Sequence, residues 1–141
     1  VASSEGVPEF VLDSWPVMEW LKKRQPASDR FRTLIEQALE VSLALVMSRI
    51  NYGEVVYSIA KDLPLRKDEA LRAFSEIPIQ FVSVDDRLID EAVALKAVYR
   101  ISYADAFAAA LGLRLGIPVV TGDPEFFNLR QVGVQLQWLG A

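Results

Sequence analysis

Residues 103–113 read YADAFAAALGL and residues 118–123 read PVVTGD, and these two neighbouring runs decide the fold. In the first, Asp105 is the only charge. A helix that is apolar nearly all round is buried, and a buried carboxylate is costly unless something pairs with it. The second is a short β-rich run that stops at another acid, Asp123. Strands that alternate with helices along a chain mean a parallel α/β sheet. An acid inside that helix and an acid at that strand's end point to one cation-binding corner.

Outward from this pair the same alternation repeats. Residues 9–12 (EFVL) form a short apolar run that ends at Asp13 and reads as a first strand after a loose lead-in over residues 1–8. Pro16 suits the first turn of a helix capped by Asp13 or Ser14 and running to about Arg24. A second helix opens at Pro26 and continues through RFRTLIEQAL. VSLALVM (41–47) reads as a second strand, with a buried helix segment as the alternative. Ser48 starts an amphipathic helix whose stripe is Tyr52, Val55, Val56, Ile59, Ala60 and Leu63, ended by Pro64. Another helix covers Arg66 to Glu76, a strand covers 78–84, and a helix runs from Asp85-Asp86 to about Tyr99. The apolar helix spans Ser102 to about Gly116, and strands follow at 118–121 and 134–139, separated by a short helix after Asp123. The expectation is one α/β domain over residues 9–141, a parallel sheet of about five strands with helices on both faces.

Composition narrows the chemistry. The chain has 141 residues, no cysteine and no histidine, which removes disulfides, thiol chemistry, imidazole ligands and every Ser-His or Cys-His mechanism. What remains is carboxylates, hydroxyls, Lys and Arg, and carboxylate oxygens favour hard cations such as Mg²⁺ or Mn²⁺. A net charge of −4 argues against a broad basic face for nucleic acid but leaves room for a local basic rim. No apolar run approaches the roughly 20 residues of a spanning helix, and the start VASSEGVPE lacks the order of a signal peptide. A soluble cytoplasmic protein with no membrane contact is the expectation.

Each acid also has a local explanation. Asp13 and Asp123 stand where strands end and helices begin, so both suit N-caps, and Asp123-Pro124 forms a cap–N1 pair. Ser102-Tyr-Ala-Asp105 has capping-box spacing. Glu54 groups with Asn51, Ser58 and Lys61 on the polar face opposite the stripe, and periodicity gives it no role. Asp85-Asp86 reads as a cap, because the remaining residues of a phospho-receiver do not fall in order. A haloacid dehalogenase would need an acid where this chain has Trp15.

FVLDS (10–14), SRINYGE (48–54) and SYADAFAAALGLRLGIPVVTGDPEFF (102–127), in this order and spacing, resemble a PIN-domain ribonuclease, most closely the VapC-like toxins of toxin–antitoxin pairs. The resemblance covers about residues 9–139 and implies a parallel α/β sandwich. It also implies that Asp13, Glu54, Asp105 and Asp123 are the catalytic and metal-ligating acids, with Mg²⁺ or Mn²⁺ as cofactor. Ser14 and Thr121 match the small hydroxyl positions beside the first and last acids, and Glu125 stands where the family sometimes carries another carboxylate. All three are candidate supporting or phosphate-contacting residues. The activity implied is RNA phosphodiester hydrolysis, with an antitoxin protein as partner and a homodimer as assembly. The alternatives are an inactive PIN-like binding or scaffold module and a related metal-dependent DNA nuclease. Arg49, Arg100 and Arg130 lie near site elements in sequence and are candidates for the basic rim.

Overall fold

The computed structural model describes residues 6–141, so most of the expected lead-in lies outside the described residues. Strand β1 (Pro8–Leu12) leads into helices α1 (Ser14–Leu21) and α2 (Ala27–Val41). Strand β2 (Ala44–Ser48) is followed by α3 (Arg49–Asp62), a 3-10 turn at Pro64–Arg66 and α4 (Lys67–Ser75). Then come β3 (Ile79–Val82), α5 (Asp86–Val98), α6 (Tyr103–Leu115), β4 (Val119–Thr121), a 3-10 segment (Pro124–Val132) and β5 (Leu136–Trp138). All strand pairs are parallel, in the order β3-β2-β1-β4-β5.

The two-residue period of the strands sorts the apolar side chains onto two faces. Leu12, Leu45, Met47 and Val120 join one core with residues of α1 to α4, including Phe31, Val55, Ile59 and Phe74. Val11, Val46 and Val119 join the other with α5, α6 and the 3-10 segment, including Leu88, Phe107 and Phe126. The fully buried Phe31, Phe107 and Phe126 each contribute on the order of 1.5–3 kcal/mol by leaving water. Helix α6 is buried along one unbroken run from Asp105 to Gly112, which explains why its sequence is apolar all round. It ends where Gly116 takes φ 68°, a left-handed turn that glycine adopts without a Cβ clash.

Several boundaries differ from the expectation. Val41 is the last residue of α2, and Ser42 turns the chain with φ 56°, so β2 starts at Ala44 rather than at Val41. Helix α1 stops at Leu21 and leaves Lys22 to Arg24 in the turn that follows. The strand expected over 78–84 is hydrogen-bonded only over Ile79–Val82. Among the described residues, no helix is long and apolar enough to cross a membrane.

The strand order matters more for the site than these boundaries. From β1 the chain steps one way to β2 and β3, then returns to place β4 on the other side of β1. This reversal opens a crevice beyond the carboxyl ends of β1 and β4, the place where open α/β sheets bind ligands.

Candidate metal centre

Asp13 follows β1 at this crevice and Asp123 lies two residues beyond β4. Glu54 reaches it from the second turn of α3 and Asp105 from the first turn of α6. Carboxylate oxygens of Asp13, Glu54 and Asp105 lie within 4.8 Å of one another, as do those of Asp105, Asp123 and Glu125. Asp105 is thus common to two overlapping triads. All four acids expected from the resemblance come together, and Glu125 joins them at the exposed side.

The local explanations can now be separated from the cluster. Asp13 occupies the N-cap position of α1, but its side chain makes no capping bond. One of its oxygens instead accepts from the Thr121 hydroxyl at 3.0 Å. Its Oδ1 is buried with no hydrogen-bond partner. Ser102 caps α6, its hydroxyl accepting from the Asp105 amide at 3.0 Å. That is half of a capping box, and the Asp105 carboxylate takes no part in it. Asp123 both caps and belongs to the cluster, with Oδ1 accepting from the Glu125 amide at 3.0 Å. Asp85 is a cap, as expected, accepting from the Leu88 amide at 2.7 Å.

The two small hydroxyls each orient an acid. Ser14 donates to Glu54. Thr121 donates to Asp13 and accepts from the Asp123 amide at 3.1 Å, so one side chain ties the β1 acid to the turn carrying the β4 acid. Gly122 in that turn lies against the Trp15 ring, and a Cβ there would overlap the indole. The TGD turn can approach α1 this closely only with glycine.

Asn51 is the residue that the sequence placed wrongly. The helical wheel put it on the polar face with Glu54, yet it is fully buried. Its amide nitrogen donates to the Ala104 carbonyl at 3.0 Å, and its side-chain oxygen accepts from the Ser48 hydroxyl at 2.6 Å. It joins the start of α3 to the start of α6 and so sets the spacing between Glu54 and Asp105. Asn51→Ala leaves the Ala104 carbonyl and the Ser48 hydroxyl without these partners. The expected cost is about 1–3 kcal/mol, measured by urea denaturation. A loss below a few tenths would remove the brace from the account.

Burial raises the pKa of Asp13, helped by the Glu54 charge, to about 7. Burial also raises that of Asp105, followed by the charges of Asp13, Asp123 and Glu54, to about 9. Such a cluster is poorly tolerated as anions without a cation. The orphaned Asp13 Oδ1 and an all-oxygen donor set fit a hard divalent ion such as Mg²⁺ or Mn²⁺. Asp13, Glu54 and Asp105 would hold it, with Asp123 and Glu125 at the outer side.

The cluster opens onto a cleft of about 410 Å³ between α1 and α3. Among the described residues, the cations that line it are Lys22 and Arg24, which the sequence did not single out. Arg49, Arg100 and Arg130 do not line it. Arg49 lies over the rings of Tyr52 and Phe81, and Arg130 over that of Phe127. No sequence signal marked Lys22 and Arg24, because they trail a helix whose end was placed three residues too late.

A five-stranded parallel sheet with helices on both faces and clustered carboxylates at its reversal point defines the class as an α/β domain with an acidic centre. The family model of the PIN domain matches residues 10–132, and the chain belongs to that family. No curated protein matches it in sequence. Among solved structures, it is similar to VapBC2 from Rickettsia felis bound to a promoter DNA fragment, with 16% identity, 91% of this chain and 96% of that chain covered, and a TM-score of 0.71. It is similar to DNA-bound VapBC from Salmonella typhimurium, with 20% identity, coverage of 94% and 99%, and a TM-score of 0.69. It is also similar to VapC20 from Mycobacterium tuberculosis, described as a sarcin–ricin loop cleaving toxin, with 15% identity, coverage of 89% and 96%, and a TM-score of 0.64. At these identities the likeness is one of fold.

Proposed function

We propose that the protein is a metal-dependent endoribonuclease and the toxin of a toxin–antitoxin pair. The observation that carries the catalytic reading is the convergence of Asp13, Glu54 and Asp123 around Asp105, with the Asp13 Oδ1 buried and without a hydrogen-bond partner. A Mg²⁺ or Mn²⁺ ion held there by Asp13, Glu54 and Asp105 would supply Lewis acidity toward a phosphoryl oxygen and a more acidic water, chemistry that suits a chain without histidine. The chain's own residues prepare the place for this chemistry. Thr121 holds Asp13 in orientation, and Ser14 holds Glu54. The Asn51 bridge keeps α3 and α6 at the spacing that brings Glu54 to Asp105. Glu125, the most exposed of the acids, stands at the side from which a substrate phosphate would enter.

RNA as substrate is supported by the neighbour described as a sarcin–ricin loop cleaving toxin. An antitoxin partner is supported by neighbours that are toxin–antitoxin complexes, including one from Klebsiella pneumoniae with a TM-score of 0.62. A homodimer and a cytoplasmic location belong to the same reading. The test is incubation of the protein with structured RNA, single-stranded RNA and DNA in Mn²⁺ and in EDTA. Cleavage of RNA that disappears in EDTA and in Asp13→Asn is the expected result. A folded protein that binds Mn²⁺ but cuts nothing is an inactive binding module, and one that cuts only DNA is a DNA nuclease. Either outcome overturns the proposal.

A further inference from the structure

We infer that Lys22 and Arg24 form a second phosphate subsite, which receives the backbone of a single-stranded RNA beyond the bond held at the carboxylates. This rests on the nuclease reading of the acidic centre and deepens it. The cleft at the carboxylates runs on between α1 and α3 to these two cations. Beyond them it adjoins a second hollow lined by Lys22, Arg24, Asp62 and Leu63. The groove is therefore continuous from the acids past the cations to the far end of α3.

Its length suits a strand. Ser14 opens α1 and Lys22 caps its other end, so the two lie about 12 Å apart along the helix axis. On the opposite wall Glu54, Ser58 and Asp62 succeed one another at i, i+4 spacing along one face of α3. A phosphate at the acidic centre thus places the strand's following phosphates against Lys22 and Arg24. Among the described residues every other titratable group lining the cleft is an acid, and there only these two cations offset its repulsion for a polyanion. With a net charge of −4, the chain has no charge surplus to hold a duplex by its whole surface. A single strand threaded along one narrow groove is the substrate form that the local charges fit.

Both cations are available. Lys22 Nζ lies 2.8 Å from Asp62 and Arg24 3.4 Å from Glu19. The Arg24 side chain is 61% exposed. The Arg24 pair is open to water and contributes little, so exchanging its carboxylate for a phosphate oxygen costs little. Lys22, with 19% of its side chain exposed, would trade one charge-assisted bond to Asp62 for another to phosphate.

The test uses the full chain with Mn²⁺ and a short single-stranded RNA labelled for fluorescence anisotropy. Asp105→Asn provides the background so that the RNA stays intact. Adding Lys22→Ala and Arg24→Ala together is expected to weaken binding about tenfold and to reduce the slope of log K against log salt by about 1.4, or ~0.7 per lost phosphate contact. Asp62→Asn, which frees Lys22, is expected to tighten binding, while Glu36→Gln on the exposed side of α2 changes net charge equally without effect. A gain of affinity cannot come from misfolding. In the cleaving parent, the Lys22–Arg24 double variant is expected to raise KM with kcat held. If the double variant keeps the affinity and salt slope of its background while the parent cuts RNA, the subsite is overturned and the nuclease reading stands. If affinity depends on Lys22 and Arg24 but the parent never cuts RNA, the groove stands and the nuclease reading falls.

Discussion

Asp105→Asn is expected to lower RNA cleavage by about a thousandfold or more and, in metal-free buffer near pH 8, to make the protein more stable. The two effects have one cause. Asp105 is 6% exposed, belongs to both carboxylate triads and has its pKa raised to about 9 by burial and then by Asp13, Asp123 and Glu54. With a cation present, its charge would be part of what holds the ion, and losing that ligand would remove several kcal/mol of transition-state stabilisation. Without a cation the same carboxyl carries a penalty that a neutral amide of equal shape lacks. Each unit by which a folded-state pKa exceeds its unfolded value is about 1.4 kcal/mol of differential interaction. The acids titrate together, so the expected gain is on the order of 2–4 kcal/mol, read by urea denaturation in EDTA. A variant that loses stability in EDTA and still cuts RNA would remove Asp105 from the metal centre.

The second large effect is an inverted dependence of stability on pH. Asp13 and Asp105 keep their protons to higher pH in the folded chain than in the unfolded one. The folded state then binds more protons, and stability from these groups is complete below the unfolded carboxyl pKa and lost as pH rises through about 7 and about 9. Asp62 and Asp85 act in the opposite sense. The Lys22 hydrogen bond lowers the first, and the Leu88 amide and then Arg114 lower the second, so their contribution is lost only in acid. Between about pH 5 and about pH 9 the buried pair dominates, and the melting temperature of the metal-free protein is expected to fall. Mn²⁺ at roughly 100 times its Kd restores about 2.7 kcal/mol, worth on the order of 5–10 °C for a chain of this size. A metal-free melting temperature that stays flat across this range, with no shift on adding Mn²⁺, would remove the electrostatic account of the site.

The layered α/β architecture was legible because short apolar runs alternate with longer helical stretches, and Gly116, Pro118 and Pro124 punctuate the chain where α6, β4 and the last 3-10 segment begin or end. The misplaced start of β2 has a local cause: Val41 is apolar, but Ser42 closes α2 with a left-handed residue that nothing in the composition announces. Asp105 stood out as a lone charge in a buried helix, and Asp13 and Asp123 as acids at strand ends. Glu54 did not stand out, because a helical wheel sees one helix and cannot know that α6 packs beside it. The same blindness put the buried Asn51 on a polar face. Strand order was equally out of reach, since adjacency in a parallel sheet is set by crossovers rather than by neighbours in sequence. The position of the crevice therefore had to come from the structure.

The bridge between Thr121 and Asp13 joins positions 108 residues apart, and β1 meets β4 through Val11 and Val119 over the same distance. Contacts between such distant segments reward a folding chain only after most of its loop entropy has been lost. The acids can gather only when both ends of that span have come together, and in a chain where they have not, the acids remain dispersed. No fragment that omits either end of that span can assemble the cluster. The potential to bind a divalent ion thus becomes a report on complete folding, since only a chain that has closed its sheet around β1 presents the site.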